Sequence, residues 1–300
     1  MNSAPSRLRT WLQLLRAPNL FTVPGDPIAG YLLSNSGFSD HTLLLVASSS
    51  LCFYGAGLLM NDVVDLDEDL AERPTRPLPA GLESITKVKI VLWILNILGL
   101  LLLFLTGSQR GLLAGIGIVA SVWSYNHLTK KIPGVGALNM GLCRGLSVMS
   151  GALVGPSPTA ALLSAIIALT VGLFIAAVTN LARFETRISA PPSAKFLPLL
   201  PLILGCFFGI PNSLFSPDKY PAAILFLLPV IGATLLLLKL LSKPSPPLPP
   251  LIGAHIRLLL PLQAAVCWFG ASQDLGPYFA VFFLALWPAS KLISRRFYAS

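Results

Sequence analysis

The sequence predicts an all-α protein, a polytopic bundle of membrane-spanning helices, and three observations lead there. The 300 residues are 54% hydrophobic and 11% charged with a mean hydropathy of +0.76, so polar groups cannot cover the surface and lipid must solvate most of it. Apolar residues fall in runs long enough to approach or cross a hydrocarbon layer of ~30 Å. The basic residues gather at the ends of those runs, with a strong bias to alternate connections.

Taken in order, Ser6 to Arg16 reads as a short basic amphipathic helix lying in the membrane interface, so residues 1–16 lead into the bundle. No small-residue cleavage signal follows the first apolar run, which is therefore read as a retained span. Candidate spans follow at 17–35, 42–61, 88–106, 111–128, 134–155, 159–182, 195–211, 220–241, 251–270 and 277–294. Their many glycines and prolines are tolerated in membrane helices, where neighbouring helices re-satisfy the backbone. With ten crossings, seventeen lysines and arginines fall on the side of both termini, whereas the other side receives Arg110 and Lys219. The positive-inside rule then places the N-terminus, the C-terminus and the even-to-odd loops in the cytoplasm. The run Lys243 to Pro250 reads as a semi-rigid proline-rich linker, and no loop holds a second domain, so residues 1–300 form one unit.

Several function classes are excluded at this level. The net charge of +9 is scattered at segment ends instead of forming a nucleic-acid-binding patch. Cys52, Cys143, Cys206 and Cys267 lie singly in apolar runs, without the spacing of a thiolate metal site, and read as small core residues. Nothing in the chain points to an obligate protein partner.

Chemistry concentrates in one place. Six of the twelve acidic residues fall between Asp62 and Glu72, beside a membrane span, where such crowding is costly unless a cation neutralises it. If the second span continues as a helix past Asn61, then Asn61, Asp65 and Asp69 recur on one face at four-residue spacing. Oxygen donors without histidine or thiol suit a hard cation such as Mg2+ that keeps some waters and binds phosphate. A solvated acidic loop or helix cap is the alternative reading of the same charges. Arg73 and Arg76 follow on a segment stiffened by Pro74, Pro77 and Pro79, and guanidinium forks match phosphate geometry.

The runs Asn61-Asp-Val-Val-Asp-Leu-Asp-Glu-Asp69 and Arg73-Pro-Thr-Arg-Pro-Leu-Pro-Ala-Gly81 resemble the first aspartate-rich motif of the UbiA superfamily of intramembrane prenyltransferases. Arg16-Ala-Pro-Asn-Leu20 and Tyr125-Asn-His-Leu-Thr-Lys130-Lys131 extend the similarity, and Met140-Gly-Leu-Cys-Arg-Gly145 is similar to the EboC-like subgroup. The resemblance implies nine to ten transmembrane helices around a central cavity, with a prenyl diphosphate and Mg2+ at its cytoplasmic mouth. Members usually have nine spans, so residues 277–296, centred on Pro277 to Ile293, form an additional C-terminal one. Residue by residue, Asn61, Asp65 and Asp69 are implied metal ligands, with Asp62 beside them. Arg76 and Lys130 are implied diphosphate ligands, with Arg73, Lys131, Arg16 and Asn19 as further candidates. Asp65, Asp69, Lys130 and Tyr125 form the implied catalytic set, Tyr125 facing the developing allylic charge.

The second acidic motif of the family is where this chain departs. The corresponding stretch reads Thr179-Asn-Leu-Ala-Arg-Phe-Glu-Thr-Arg187, in which Glu185 and Asn180 are the possible metal ligands and Arg183 and Arg187 are placed to neutralise phosphate directly. The expected activity is transfer of a prenyl group from a prenyl diphosphate to an aromatic or other small acceptor. Two alternatives are a terpene cyclase of the same fold and a lipid-binding or transport protein that has lost turnover. Asp26 and Arg144, charged groups in or near spans, are further cavity candidates.

Overall fold

The computed structural model of the chain describes residues 6–34, 39–155, 161–185, 190–242, 246–270 and 275–294. Among these every regular element is helical: α1 (Arg7–Leu14), α2 (Ala17–Leu20), α3 (Gly25–Ser34), α4 (Asp40–Val64), α5 (Leu66–Glu72), α6 (Ile85–Phe104), α7 (Gln109–Ser124), α8 (Val135–Ala152), α9 (Ala161–Ala182), α10 (Pro192–Phe196), α11 (Leu199–Ser213), α12 (Tyr220–Leu241), α13 (Leu248–Arg257), α14 (Leu259–Gly270) and α15 (Leu275–Ser294). A π-helical turn, Tyr125–Thr129, prolongs α7, and a 3-10 turn, Pro217–Lys219, leads into α12.

Seven stretches are long and apolar enough to cross a membrane: Asp40–Val64, Ile85–Phe104, Leu162–Ala182, Pro192–Ser213, Pro217–Leu241, Leu248–Gly270 and Leu275–Ser294. The last overlaps the C-terminal apolar run at 277–294. The candidates at 111–128 and 134–155 are helical as well, but α7 and α8 have 16 and 18 residues.

The candidate at 17–35 is not one continuous helix. The chain turns between α2 and α3 because Pro24 has no N–H to donate and pushes Val23 away from helical geometry. Upstream, Arg16 caps α2 with a φ of 44°, the left-handed region that ordinary residues avoid.

Helices α4, α6, α7, α8, α9, α11, α12 and α14 pack in succession, and α3 closes the ring between α14 and α4 while also packing on α8. Helix α15 lies outside, with Ala280 and Phe283 buried and Tyr278, Val281 and Phe282 turned outward. Small residues permit the closest approaches. A Cβ at Gly141 would lie 2.3 Å from the carbonyl oxygen of Gly172 on α9, and one at Gly151 would lie 1.9 Å from that of Pro27 on α3. Helix α8 is thereby clamped between two neighbours, as membrane helices do without a hydrophobic driving force between them. The half containing α9, α11, α12 and α14 is filled by a continuous core around Phe174, Phe226, Leu259 and Leu260. In the other half the packed clusters are smaller and leave a cavity between them.

Candidate active site

The cavity has about 800 Å³ of empty space and opens at the end of α4. It is walled by Phe53, Tyr54 and Leu58 of α4, Ile118 and Val122 of α7, and Met140, Cys143, Arg144 and Ser147 of α8. Arg16, Asn61, Tyr125 and Asn126 stand around it, and its lining among the described residues comes from positions 16 to 147. The central cavity implied by the resemblance therefore lies within the N-terminal half of the ring.

Three acid–base pairs form its rim, and a fourth lies beside them in solvent. Lys130 Nζ donates to Asn61 Oδ1 at 2.9 Å and forms an ion pair with Asp65 Oδ2, which also accepts from Asn61 Nδ2 at 3.0 Å. Arg76 Nη1 donates to both oxygens of Asp69 at 3.0 and 2.8 Å. Arg16 lies 3.5 Å from Asp62, and Lys131 lies 3.7 Å from Glu68. The first three pairs are partly or largely shielded, whereas Lys131 and Glu68 are mostly in solvent, so that last pair contributes little. Lys131 thus stands outside the constellation, and Asn19, buried in α2, shares a side-chain hydrogen bond with Tyr54 of the cavity wall.

Two local irregularities build this rim. Helix α4 stops at Val64 and Asp65 adopts φ −87° and ψ 4° before α5 begins. Across that joint the N–H of Asp65 still donates to the Asn61 carbonyl at 2.9 Å and that of Asp69 to the Asp65 carbonyl at 2.8 Å, so the four-residue spacing of Asn61, Asp65 and Asp69 persists. Asn61 and Asp65 converge on one point, the Lys130 ammonium, while Asp69 pairs with Arg76, and no group of three acidic, histidine or cysteine side chains stands together among the described residues. The second irregularity is the π turn, where the N–H of Lys130 donates to the carbonyl of Tyr125 at 2.9 Å. On an α-helix two residues five apart differ by about 140° around the axis. The π turn stacks them instead, so that Tyr125 faces the cavity and Lys130 reaches its rim.

The second region behaves differently. Asn180 lines a separate groove between α8, α9 and α11 with Ala137, Leu173 and Pro201, and so does not share a site with Glu185. Glu185 is half-buried past the end of α9. Burial raises its carboxyl pKa above the ordinary value, and the positive charges of Arg73, Arg16 and Arg76 oppose that rise. Glu185 therefore feels the same arginines as the rim. Arg73 and Arg183 are exposed, and Arg187 lies outside the described residues.

At the inner end of the cavity, Arg144 Nε lies 2.7 Å from Asp26 Oδ2 and Arg144 Nη2 donates to the Thr22 carbonyl at 2.9 Å. Gln263 Nε2 donates to that same carbonyl and to Asp26 Oδ1, both at 2.7 Å. The predicted intramembrane charges are thus one buried network linking α3, α8 and α14, with Arg144 at the cavity wall. Sequence reasoning did not single out Gln263, Asn126 or Tyr54. An isolated polar residue in each apolar run was the available signal.

The donor set fits a hard divalent cation. Asn61 Oδ1 and Asp65 Oδ2 already hold a cationic group between them, and neither histidine nor thiol competes.

Comparison with known proteins agrees with this architecture. By sequence, the chain is similar to a digeranylgeranylglyceryl phosphate synthase of Saccharolobus solfataricus, 27% identical over 147 residues, covering 49% of this chain and 52% of that protein. The chain spans about half the length, or less, of the curated relatives it matches. By structure, it is similar to a UbiA homolog from Aeropyrum pernix K1 with a TM-score of 0.67 at 17% identity, covering 83% of this chain and 96% of that one. It is also similar to a UbiA homolog from Archaeoglobus fulgidus bound to GPP and Mg2+, with a TM-score of 0.50 at 17% identity, covering 94% and 99%. The model of the UbiA prenyltransferase family matches residues 27–190. That span is more than half of the chain and contains the acid–base rim apart from Arg16, the Arg73 to Gly81 frame and the cavity-lining face of α8, and on this ground the protein belongs to the UbiA prenyltransferase family.

Proposed function

We propose that the protein is an intramembrane prenyltransferase that takes a prenyl diphosphate at the rim and passes its prenyl group to a small acceptor, aromatic or otherwise, inside the cavity. The observation that carries this reading is the convergence of Asn61 and Asp65 on one cationic position, beside Arg76 and Arg16, at the mouth of an apolar cavity. The GPP and Mg2+ held by the Archaeoglobus fulgidus homolog support it by analogy. The rim and both termini are assigned to the cytoplasm by the distribution of basic residues.

Asn61 and Asp65 would hold Mg2+, with Asp69 and Asp62 as neighbouring carboxylates. Bound there, the metal supplies Lewis-acid stabilisation of the departing diphosphate. The chain's own residues do the rest. Arg76, Arg16 and Lys130 exchange a carboxylate for phosphate oxygens, so the positive charge that now balances the acids becomes available to the leaving group. The walls of α4, α7 and α8 accept the apolar chain and exclude water, which protects the allylic carbon as its bond to oxygen lengthens. The face of the Tyr125 ring is placed to favour positive charge there. Arg144, held by Asp26, offers a fixed donor at the inner end of the cavity.

The decisive experiment places purified protein in lipid nanodiscs with Mg2+ and geranyl diphosphate and measures both bound diphosphate and released pyrophosphate. Binding must require Mg2+ and must fall at least tenfold in Asp65→Ala and in Asp69→Ala. Mg2+-independent binding, unchanged in both variants, removes the metal assignment. The departures at the second motif favour one other reading, a carrier without turnover. Metal-dependent binding with no pyrophosphate release across a panel of acceptors selects it, and release with a cyclised hydrocarbon as product selects a cyclase. Glu185→Ala tests the second region, since turnover unaffected by it removes Glu185 from the ligand set.

A further inference from the structure

A second cavity lies away from the acidic rim, with about 1270 Å³ of empty space between α12, α13 and α15. It shares no lining residue with the first. Three basic side chains line it, Lys239 in the last turn of α12, Arg257 at the end of α13 and Lys291 in the last turn of α15. The remaining walls are apolar, including Leu235, Leu251 and Trp287.

These charges have no counterion in view. None of the three makes an ion pair or a side-chain hydrogen bond with the described residues. After Asp218 the sequence contains one acidic residue, Asp274, which immediately precedes α15. Lys291 stands in the last turn of that helix, about 24 Å further along its axis. Arg257 is half-buried, and it lies about 14 Å along the axis from Leu248, where α13 begins. A guanidinium at that depth, facing apolar walls, is expensive unless an anion or water meets it. The two lysines are exposed on stems long enough to bend toward the same point.

We infer that this groove binds an anionic phospholipid, whose headgroup phosphate is held among Lys239, Arg257 and Lys291 and whose acyl chains lie along the apolar faces of α12 and α15. Location selects a lipid over a soluble phosphate. Both Pro217–Leu241 and Leu275–Ser294 are apolar enough to span a membrane, so the groove between them opens sideways to lipid. Basic pockets between transmembrane helices at the cytoplasmic side are the usual recognition mode for such headgroups. Trp287, an amphipathic ring near the headgroup level, suits the same occupant.

The test uses the full chain in nanodiscs of phosphatidylcholine containing stepped amounts of phosphatidylglycerol, with native mass spectrometry to count retained lipid. Wild type is expected to retain phosphatidylglycerol in preference to phosphatidylcholine. Lys239→Ala/Lys291→Ala is expected to weaken that retention on the order of tenfold or more, and Arg257→Gln to do likewise. Lys89→Ala removes one exposed charge from α6 and is expected to change nothing. Because both lysines are exposed, the double variant reports even if Arg257→Gln does not fold. Chain-brominated phosphatidylglycerol is expected to quench a component of the fluorescence that Trp287→Phe removes. Equal retention of the two lipids, or retention unaltered in the double-lysine variant, overturns the site. Displacement of the lipid by millimolar inorganic phosphate with no quenching of Trp287 identifies a soluble anion as the occupant and overturns the lipid assignment.

Discussion

At the scale of single residues, the rim is a set of charges that cancel in the ligand-free arrangement. Lys130 occupies the place where Asn61 and Asp65 would receive a metal, so it competes with Mg2+ until a diphosphate draws it away. Lys130→Met is therefore expected to have opposite effects on two ligands. Mg2+ alone binds more tightly, while Mg2+ with geranyl diphosphate binds roughly tenfold to a hundredfold more weakly for loss of a charged hydrogen bond. Titration calorimetry of the nanodisc-embedded protein reads both, and parallel changes would remove the competition. Arg16 carries a second signature, because its φ of 44° costs roughly 1–2 kcal/mol in a residue with a side chain. Arg16→Gly should thus be about 1 kcal/mol more stable than Arg16→Ala although both lose the Asp62 pair. Thermal unfolding of the two variants measures that difference.

At the scale of elements, one irregular turn and one closely packed helix set the geometry of the site. The π turn at Tyr125–Thr129 aligns Tyr125 with Lys130. Deleting the exposed Leu128 should convert it to an α turn in which Lys130 follows Tyr125 by four residues, about 40° around the axis, so that both stay on the cavity face. The expected outcome is a diphosphate affinity close to that of the wild type with little change in melting temperature, and an affinity like that of Lys130→Met would show that the wider π turn itself is needed to bring Lys130 to Asp65. Helix α8 is the other critical element. Gly141 and Gly151 allow it to touch α9 and α3 backbone to backbone, and the arc between those contacts presents Cys143, Arg144 and Ser147 to the cavity. A Cβ at Gly151 meets a carbonyl oxygen that cannot rotate aside, so Gly151→Ala is expected to cost about 1–3 kcal/mol. Denaturation in detergent, compared with Gly57→Ala, where a Cβ would meet only the Val122 methyl groups at 3.4 and 3.6 Å, checks the figure.

At the scale of the whole molecule, the Asp26, Arg144 and Gln263 network ties the ring shut. These residues come from α3, α8 and α14, and the Thr22 carbonyl accepts from both basic and amide partners. Removing one charge leaves the other uncompensated in an apolar setting, so Arg144→Met is expected to cost about 3–5 kcal/mol. The double variant Asp26→Leu/Arg144→Met should recover part of that loss, and a cycle of melting temperatures shows whether it does.

The membrane class, the helical content and the two charged segments, Asn61 to Gly81 and Tyr125 to Lys131, were legible in the sequence, because hydropathy and charge are properties of local composition. The break between α2 and α3 was also signalled locally, by Pro24. What composition could not show is where those groups meet. That Asp65 pairs with Lys130 and Asp69 with Arg76 depends on how the segments carrying those bases fold against α4 and α5, and whether Lys130 follows Tyr125 depends on one hydrogen bond five residues long. The direction faced by Asn180 depends on how α9 packs against α8 and α11. Periodicity assumes an uninterrupted helix, and at this rim the helices are interrupted. The sequence by itself determined which chemical groups the protein possesses and that lipid surrounds them, whereas only tertiary packing decided which of those groups share a cavity, since convergence is set by helix ends and close backbone contacts far apart in the chain.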